Sequence, residues 1–151
     1  MNFGFTGTQQ GMTIAQNQSV IKFLVKNHPK EVHLGDCIGS DYQFFGMIMT
    51  SNYKHKELPR ITTIGHIPDN DSKRAFCHYD EERVPKPYLE RNKDIVEACD
   101  VLLATPYEQE QVLRSGTWAT VRYSLSLEKP TIIFFPDGSV KDYNWLTHES
   151  L

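Results

Sequence analysis

The sequence predicts an α/β fold, built as a doubly wound sheet of about five parallel strands with helices on both faces. Short apolar runs alternate along the chain with segments of helical periodicity, which is the strand–helix–strand pattern of parallel sheets. The strand runs are continuously apolar, as expected for strands that helices cover on both sides. The chain has 151 residues and no repeat or linker, so we expect a single domain over residues 1–151.

Five segments have the composition of strands. The third is rich in β-branched residues between Pro59 and Pro68, and the fifth is stopped by Pro136 and an Asp-Gly turn. In chain order the segments are 2–6, 31–35, 60–67, 100–106 and 130–138. Numbering them one to five, we expect the order 3-2-1-4-5, which reverses at one point in the sheet.

Four helices are predicted between these strands. Thr13 and Gln16 form a capping-box pattern at the start of the first. The stripe predicted for that helix consists of residues at helical spacing, namely Ile14, Ile21, Leu24, Val25 and His28. The second helix begins near Ser40, the third after Pro87 and the fourth at Ser115.

Residues 68–88 show neither strand nor helix periodicity. An irregular segment of about twenty residues inside a compact domain is unusual and is often a lid or binding loop. A loop that contains one short helix is the alternative, and the sequence favours neither. The final residues of the chain, which include Trp145 and Leu146, are expected to fold back onto the body of the domain.

The charge balance and the cysteines restrict the partners and the compartment. A formal net charge of −3 argues against a surface for duplex DNA or an anionic membrane. No apolar run approaches the roughly 20 residues that span a bilayer, and the first residues lack a secretory signal pattern. Cys37, Cys77 and Cys99 are widely spaced, which predicts free thiols in a reducing cytoplasm, with no metal site and no cofactor.

In a sheet of this order the ligand lies beyond the carboxyl ends of the strands, here between strands one and four. The loop after strand one contains Thr6, Gly7 and Thr8, which are small enough for a ligand to approach the backbone. The loop after strand four runs from Pro106 to Arg114-Ser115-Gly116-Thr117, where free amides and two hydroxyls form a candidate anion site. The alternatives are a plain turn for the first loop and an ordinary Ser N-cap for the second.

Acidic residues after strand two reach the same edge. Gly35 and Asp36 follow that strand directly, and Asp41 lies in the first turn of the second helix, on its core-facing side. For Asp36 we favour a ligand role. For Asp41 we favour capping of backbone amides, and the alternative is contact with a ribose hydroxyl.

Arg91 and Asn92 bring the third helix to this edge. An arginine suits bidentate recognition of phosphate or carboxylate, and an Asn within an apolar stripe requires hydrogen-bond partners. The alternative for Arg91 is a surface ion pair with Asp94 or Glu90.

Taken in order, the stretches "TGT", "GDCIGSD", "RN" and "SGT" resemble the SLOG superfamily, whose patterns include GG-x-x-G-A-D, R-N and G-G-T. These Rossmann-like proteins include the LOG phosphoribohydrolases and the DNA-processing protein DprA. The chain looks closest to small stand-alone members from bacteria and their phages, and the resemblance covers roughly residues 2–138. It implies a Rossmann-like fold, a nucleotide-type pocket and a homo-oligomer of two or more chains.

The chain departs from the resemblance where catalysis is carried. In LOG enzymes the phosphate loop reads P-G-G-x-G-T-x-x-E, and its Glu supports cleavage of an N-glycosidic bond. Aligned on Gly116 and Thr117, that position is Thr120 here. Arg91 matches the helix-borne Arg of the family and is therefore a catalytic candidate. Substitute carboxylates lie on nearby loops, namely Asp36, Asp71, Glu108 and Glu110.

Three functions are consistent with this pattern. We favour binding of a nucleotide-derived ligand, of the nucleoside-phosphate or ADP-ribose type, by a sensor or sequestering protein whose Lys73 and Arg74 close over it. The second is hydrolysis of a nucleoside 5′-phosphate, and Thr120 counts against it. The third is binding of single-stranded nucleic acid, which needs a basic groove with stacking aromatics and is disfavoured by the acidic charge balance.

Overall fold

A central sheet of seven strands, covered by four α-helices, organises residues 1–145, the part of the chain that this computed structural model describes. The strands are β1 (Asn2–Gly7), β2 (Glu31–Leu34), β3 (Thr62–Pro68), β4 (Glu81–Lys86), β5 (Val101–Thr105), β6 (Thr131–Phe134) and β7 (Val140–Tyr143). The helices are α1 (Ile14–Lys26), α2 (Ser40–Lys54), α3 (Tyr88–Ala98) and α4 (Gly116–Ser126). The predicted α/β class is confirmed.

The strand order is β4-β3-β2-β1-β5-β6-β7, and every neighbouring pair is parallel except β6 and β7. The five predicted strands correspond to β3-β2-β1-β5-β6, so their expected order is confirmed. The reversal of order therefore lies between β1 and β5. The carboxyl ends of these two strands meet there, which is where α/β sheets bind ligands.

The predicted strand count was wrong because both edge strands lack an apolar signal. β4 reads EERVPK and is mostly exposed, and β7 reads VKDY and is exposed at three of its four residues. Such short, charged edges are the usual protection of a sheet against pairing with other chains. β7 turns back at Gly138, which has φ +88°, and runs antiparallel to β6.

Alternate residues of β1 face the two helical layers. Phe5 stacks on Phe44 of α2 at 4.2 Å, and the ring of Phe3 lies 5.5 Å from that of Phe23 in α1. Gly4 faces the other layer, where an added Cβ would lie 2.8 Å from Cys99 at the end of α3. The missing side chain thus lets α3 pack closely on the central strand.

The predicted start of α1 is confirmed, but its predicted apolar stripe is correct only in part, because Leu24 packs against the core and Ile14 and Val25 do not. Thr13 caps the helix in a capping box with Gln16. Ile14 and Val25 are 80% and 77% exposed, whereas Gln16 is buried and its amide donates to the carbonyls of Pro106 (2.9 Å) and Phe134 (2.7 Å). The inner side of this helix therefore includes Gln16, which bonds two strand-end carbonyls, beside Val20.

Residues 68–88 contain more regular structure than either sequence interpretation. A 3₁₀ helix at Asp71–Lys73 realises the short helix of the second alternative, and β4 follows it. Across this segment the backbone amide of Ala75 donates to the carbonyl of Asp36 at 2.8 Å. Within residues 1–145, none of the helices combines the length and apolar character that crossing a membrane requires.

Candidate functional site

A polar crevice of about 180 Å³ opens where β1 and β5 end. One wall is the loop after β1, the other is the segment between β5 and α4, and the first residue of α3 closes one end. The residues that line it are Gly7, Thr8, Gln9, Gln10, Tyr88, Tyr107, Glu108, Arg114, Ser115, Gly116 and Thr117. The crevice therefore lies at the reversal of strand order that the sequence predicted.

The start of α4 provides the anion-binding features of the crevice. The Ser115 hydroxyl accepts the amide of Trp118 at 3.2 Å, which satisfies that amide. The amides of Gly116 and Thr117 form no hydrogen bond with any residue from 1 to 145, and neither does the Thr117 hydroxyl, although Thr117 is only 7% exposed. Unpaired amides at a helix start, aligned with the helix dipole, are the usual cradle of a phosphate.

Arg114 adds a positive charge at the rim. Its side chain is exposed and, within the described part of the chain, forms no ion pair. A guanidinium can approach a bound phosphate with two parallel donors. Ser115 is thus both an ordinary N-cap and part of a candidate anion site, because capping uses its hydroxyl and leaves two amides free.

Tyr88 connects this crevice to the buried residues behind it. A Cβ added at Gly116 would lie 2.0 Å from the Tyr88 hydroxyl oxygen, so a larger residue there would force the partly exposed Tyr88 ring to move. The guanidinium carbon of Arg91 lies 5.0 Å from the centre of the Tyr88 ring. Burial raises the pKa of Tyr88 above its usual value, so its hydroxyl remains protonated and can donate to a ligand.

Glu108 is the carboxylate that lines the crevice within residues 1–145. It is half-buried, and its Oε1 accepts the indole N–H of Trp118 at 3.0 Å. Trp118 is 3% exposed and belongs to the first turn of α4, so it fixes the carboxylate beside the free amides. On the opposite wall the Thr8 hydroxyl is bonded to the side chain of Gln10.

Arg91 is built into the fold behind the crevice. It is 3% exposed, and its guanidinium donates to the carbonyls of Gly35 and His66 and to Oδ1 of Asn92 (2.8 Å). The surface ion pair with Asp94 or Glu90 does not form, because the guanidinium of Arg91 is buried and bonded inside the fold. Arg91 therefore joins the ends of β2 and β3, and Asn92 is its partner.

Asp36 has a structural role rather than the ligand role that we favoured for it. It is fully buried with φ +57°, and its carboxylate accepts Nε of Arg74 (2.7 Å), the hydroxyl of Tyr79 (2.8 Å) and the amide of Cys77 (3.1 Å). Both oxygens are therefore occupied. Arg74 is held away from a ligand, and the segment between β3 and β4 is tied to the loop after β2.

Asp41 has the structural role that the sequence favoured, but it bonds amides of the loop before α2 and does not cap the helix itself. One oxygen, Oδ2, accepts the amides of Gly35 and Cys37, each at 3.2 Å. Burial raises the pKa of Asp41 to about 6, although the positive charge of Arg91 opposes the shift. The carboxyl group thus closes the loop between β2 and α2 from inside.

The other predicted residues fall outside the crevice. Thr6 is half-buried within β1, and the carbonyl of Pro106 is used by Gln16. Glu110 is exposed on the loop before α4 and does not line the crevice. Thr120 donates its hydroxyl to the carbonyl of Gly116 at 2.8 Å, as an ordinary helical threonine does.

The structure adds four crevice residues to the predicted set, namely Gln9, Gln10, Tyr88 and Tyr107. Their position directly after predicted strands, or at the first residue of a predicted helix, was the available signal. No group of three or more His, Cys, Asp or Glu side chains in residues 1–145 is arranged to hold a metal ion.

Comparison with known proteins shows the fold. No protein-family model matches the sequence, and a search of curated proteins finds no significant match. The molybdenum cofactor binding protein from the phototrophic bacterium Rippkaea orientalis superposes with a TM-score of 0.62 at 18% identity, over 89% of this chain and 76% of that one. The structural genomics target TM1055 gives a TM-score of 0.55 at 13% identity, over 86% and 71%. At these identities the likeness establishes the Rossmann-like α/β fold.

Proposed function

We propose that this chain binds a phosphorylated small molecule of the nucleotide type, such as a nucleoside phosphate or an ADP-ribose-like compound, in the crevice between β1 and β5. The observation that carries the proposal is the group of unpaired donors at the start of α4. These are the amides of Gly116 and Thr117 and the Thr117 hydroxyl, and Thr117 is a residue of low exposure that lines the crevice.

The phosphate is expected at these donors, with Arg114 pairing to it from the rim. Hydrogen bonds to a charged group contribute roughly 1.5–3 kcal/mol each, and the helix dipole adds about 0.3–1 kcal/mol. The crevice, at about 180 Å³, is smaller than the roughly 300 Å³ at which pockets for whole drug-sized ligands begin. It therefore suits the sugar phosphate of a nucleotide, and the base would rest outside against Tyr107, which is 61% exposed.

We assign the chain to SLOG-like proteins that hold a ligand as sensors or sequestering proteins. The resemblance of "TGT", "GDCIGSD", "RN" and "SGT" supports this assignment, as does the fold. The solved neighbour that binds the molybdenum cofactor supports a small ligand in a fold of this kind.

Hydrolysis of the N-glycosidic bond is the second candidate, and Glu108 is the observation that favours it. A carboxylate is needed to stabilise oxocarbenium-like charge or to activate water. Thr120 is bonded within α4, whereas Glu108 lines the crevice beside the proposed phosphate. The wild type would then release adenine from adenosine 5′-monophosphate and Glu108→Gln would not. This result would favour hydrolysis over ligand binding alone.

We extend the proposal to a cytoplasmic homo-oligomer. The three cysteines are free, as expected in a reducing compartment. Ile21 and Val25 of α1 are exposed and line one apolar groove together with Leu58, and a contiguous apolar surface of this kind is typical of a face that another chain covers. Native mass spectrometry of the purified protein would give the number of subunits and the mass of any bound molecule.

Calorimetric titration with adenosine 5′-monophosphate tests the binding site. We expect Arg114→Gln to weaken binding about tenfold, since it removes one charge-assisted contact to phosphate. Lys22→Gln, which makes the same charge change on the exposed surface of α1, should leave the affinity unchanged. Equal affinities for both variants and the wild type would contradict the proposed site. Elemental analysis for molybdenum tests whether the ligand class is instead that of the solved neighbour.

A further inference from the structure

Glu108 is held in place by the fold rather than free to swing. Its Oε1 accepts the indole N–H of the buried Trp118, and its Oε2 forms no hydrogen bond with any residue from 1 to 145. Because Trp118 follows Gly116 and Thr117 in the first turn of α4, its bond to Glu108 holds this carboxylate in the lining of the same crevice, with one oxygen left available to a ligand.

A fixed negative charge beside an anion site selects against a ligand that is only an anion. Like charges within a few ångströms disfavour each other, and a half-buried position weakens the screening by water. A ligand that occupies both parts of the crevice must therefore bring hydrogen-bond donors to Glu108 as well as a phosphate to α4. Inorganic phosphate and pyrophosphate carry their hydroxyls only on the charged phosphoryl groups, so they have no uncharged part that could donate to Glu108.

The size of the crevice limits which part of the ligand supplies these donors. A volume of about 180 Å³ encloses a fragment of a nucleotide, so the group next to the phosphate, the sugar, lies within reach of Glu108. Acidic side chains are the usual partners of ribose hydroxyls in folds of this class. The nucleobase of a nucleotide carries its hydrogen-bond donors farther from the phosphate than the sugar does, outside the volume that the crevice encloses.

We propose that Glu108 is a specificity-determining residue that accepts hydrogen bonds from the vicinal hydroxyls of a ribose 5-phosphate unit. The inference rests on the proposed function, because it requires the phosphate to lie at Gly116 and Thr117. The chain then prefers ribo over 2-deoxyribo ligands, and esters of phosphate over phosphate itself.

The test is a titration followed by NMR, which reports on the amides of Gly116 and Thr117 directly. The probes are inorganic phosphate, methyl β-D-ribofuranoside 5-phosphate and its 2-deoxy analogue, which carry no base. We expect the wild type to bind the riboside at least tenfold more tightly than the deoxyriboside. In Glu108→Ala the two should bind within twofold of each other. Glu82→Gln, an exposed charge change on β4, should keep the wild-type preference.

Glu108→Gln distinguishes the loss of the carboxylate from a folding defect, since the Gln amide oxygen can still accept the indole N–H of Trp118. This variant should reduce the preference at least threefold and bind inorganic phosphate no more weakly than the wild type. If the phosphate probes leave the Gly116 and Thr117 signals unchanged, the proposed function fails and the inference fails with it. If the probes bind but the preference is absent, or persists in both Glu108 variants, the inference is overturned and the proposed function stands.

Discussion

Asp36→Asn tests whether the segment between β3 and β4 is anchored to the fold or free to act as a lid. Asn has nearly the shape of Asp, and both residues tolerate the left-handed φ of +57° found at this position. The substitution therefore changes the charge and one acceptor oxygen while leaving the backbone conformation available. Its effect measures what the buried carboxylate contributes.

The size of the effect follows from the three donors that meet at Asp36. Arg74 and Tyr79 donate from their side chains and Cys77 from its amide, and an Asn nitrogen cannot accept any of them. Removing one partner of a buried ion pair costs about 3–5 kcal/mol. The Arg74 side chain is 16% exposed and keeps Asp71 at 3.6 Å, so we expect a loss of about 3 kcal/mol.

Urea unfolding of wild type and variant gives the change in the free energy of unfolding. Asp94→Asn is the matched control, because it breaks the pair with Lys86, whose side chains are 42% and 32% exposed. An exposed pair contributes at most about 1 kcal/mol. Equal and small losses in both variants would refute the anchoring role of Asp36. Hydrogen exchange should also accelerate at the amide of Ala75 in Asp36→Asn alone.

Gly116→Ala and Asp41→Asn test the geometry and the electrostatics of the carboxyl edge, and Gly46→Ala serves as a control. Gly116→Ala should destabilise the fold by about 1 kcal/mol, the lower end for overpacking, because its Cβ would displace the partly exposed Tyr88 ring, whereas Gly46→Ala in open space should stabilise α2 by roughly 0.5–1 kcal/mol. Thermal unfolding would show both, and a stabilised Gly116→Ala would contradict the packing of Tyr88. Burial raises the pKa of Asp41 from the ordinary value of 3.8 to about 6 in the folded protein. Protonated Asp41 therefore makes its full contribution to the free energy of unfolding below about pH 3.8, and this contribution is lost as the pH rises through about 6. The Asn side chain of Asp41→Asn is neutral at every pH and can still accept both amides. In urea unfolding, the stability of this variant relative to the wild type should therefore rise by about 2 kcal/mol between pH 4 and pH 7. A stability difference that stays constant with pH would argue against burial as the cause of the raised pKa.

The features that the sequence predicted correctly depend on local chemistry. The capping box of Thr13 and Gln16, the Ser115 cap and the start of α3 after Pro87 each arise from residues within one helical turn. The continuous apolar runs of the inner strands determined both their identity and, through the rules of parallel sheets, their order. β4 escaped prediction because its EERVPK sequence pairs at an exposed edge and buries almost nothing.

The crevice lies at the loops that the sequence singled out, whereas the bonding roles of several side chains there were not predicted. Topology alone brings the loops after β1 and β5 together, and the crevice lies there. Asp36 looked like a ligand residue because its partners Arg74 and Tyr79 lie 38 and 43 positions along the chain. Hydrogen bonds between residues so far apart in the chain depend on the packed structure, and the periodicity of a sequence does not predict them.

These long-range bonds give the two arginines at the carboxyl edge of the sheet different roles. Arg91 cannot pair with a phosphate unless it gives up the carbonyls of Gly35 and His66, which would leave buried acceptors unsatisfied. It can still act indirectly, because its guanidinium lies against the ring of Tyr88, whose hydroxyl fixes the approach to Gly116. The buried arginine then shapes the crevice while the exposed Arg114 supplies the charge.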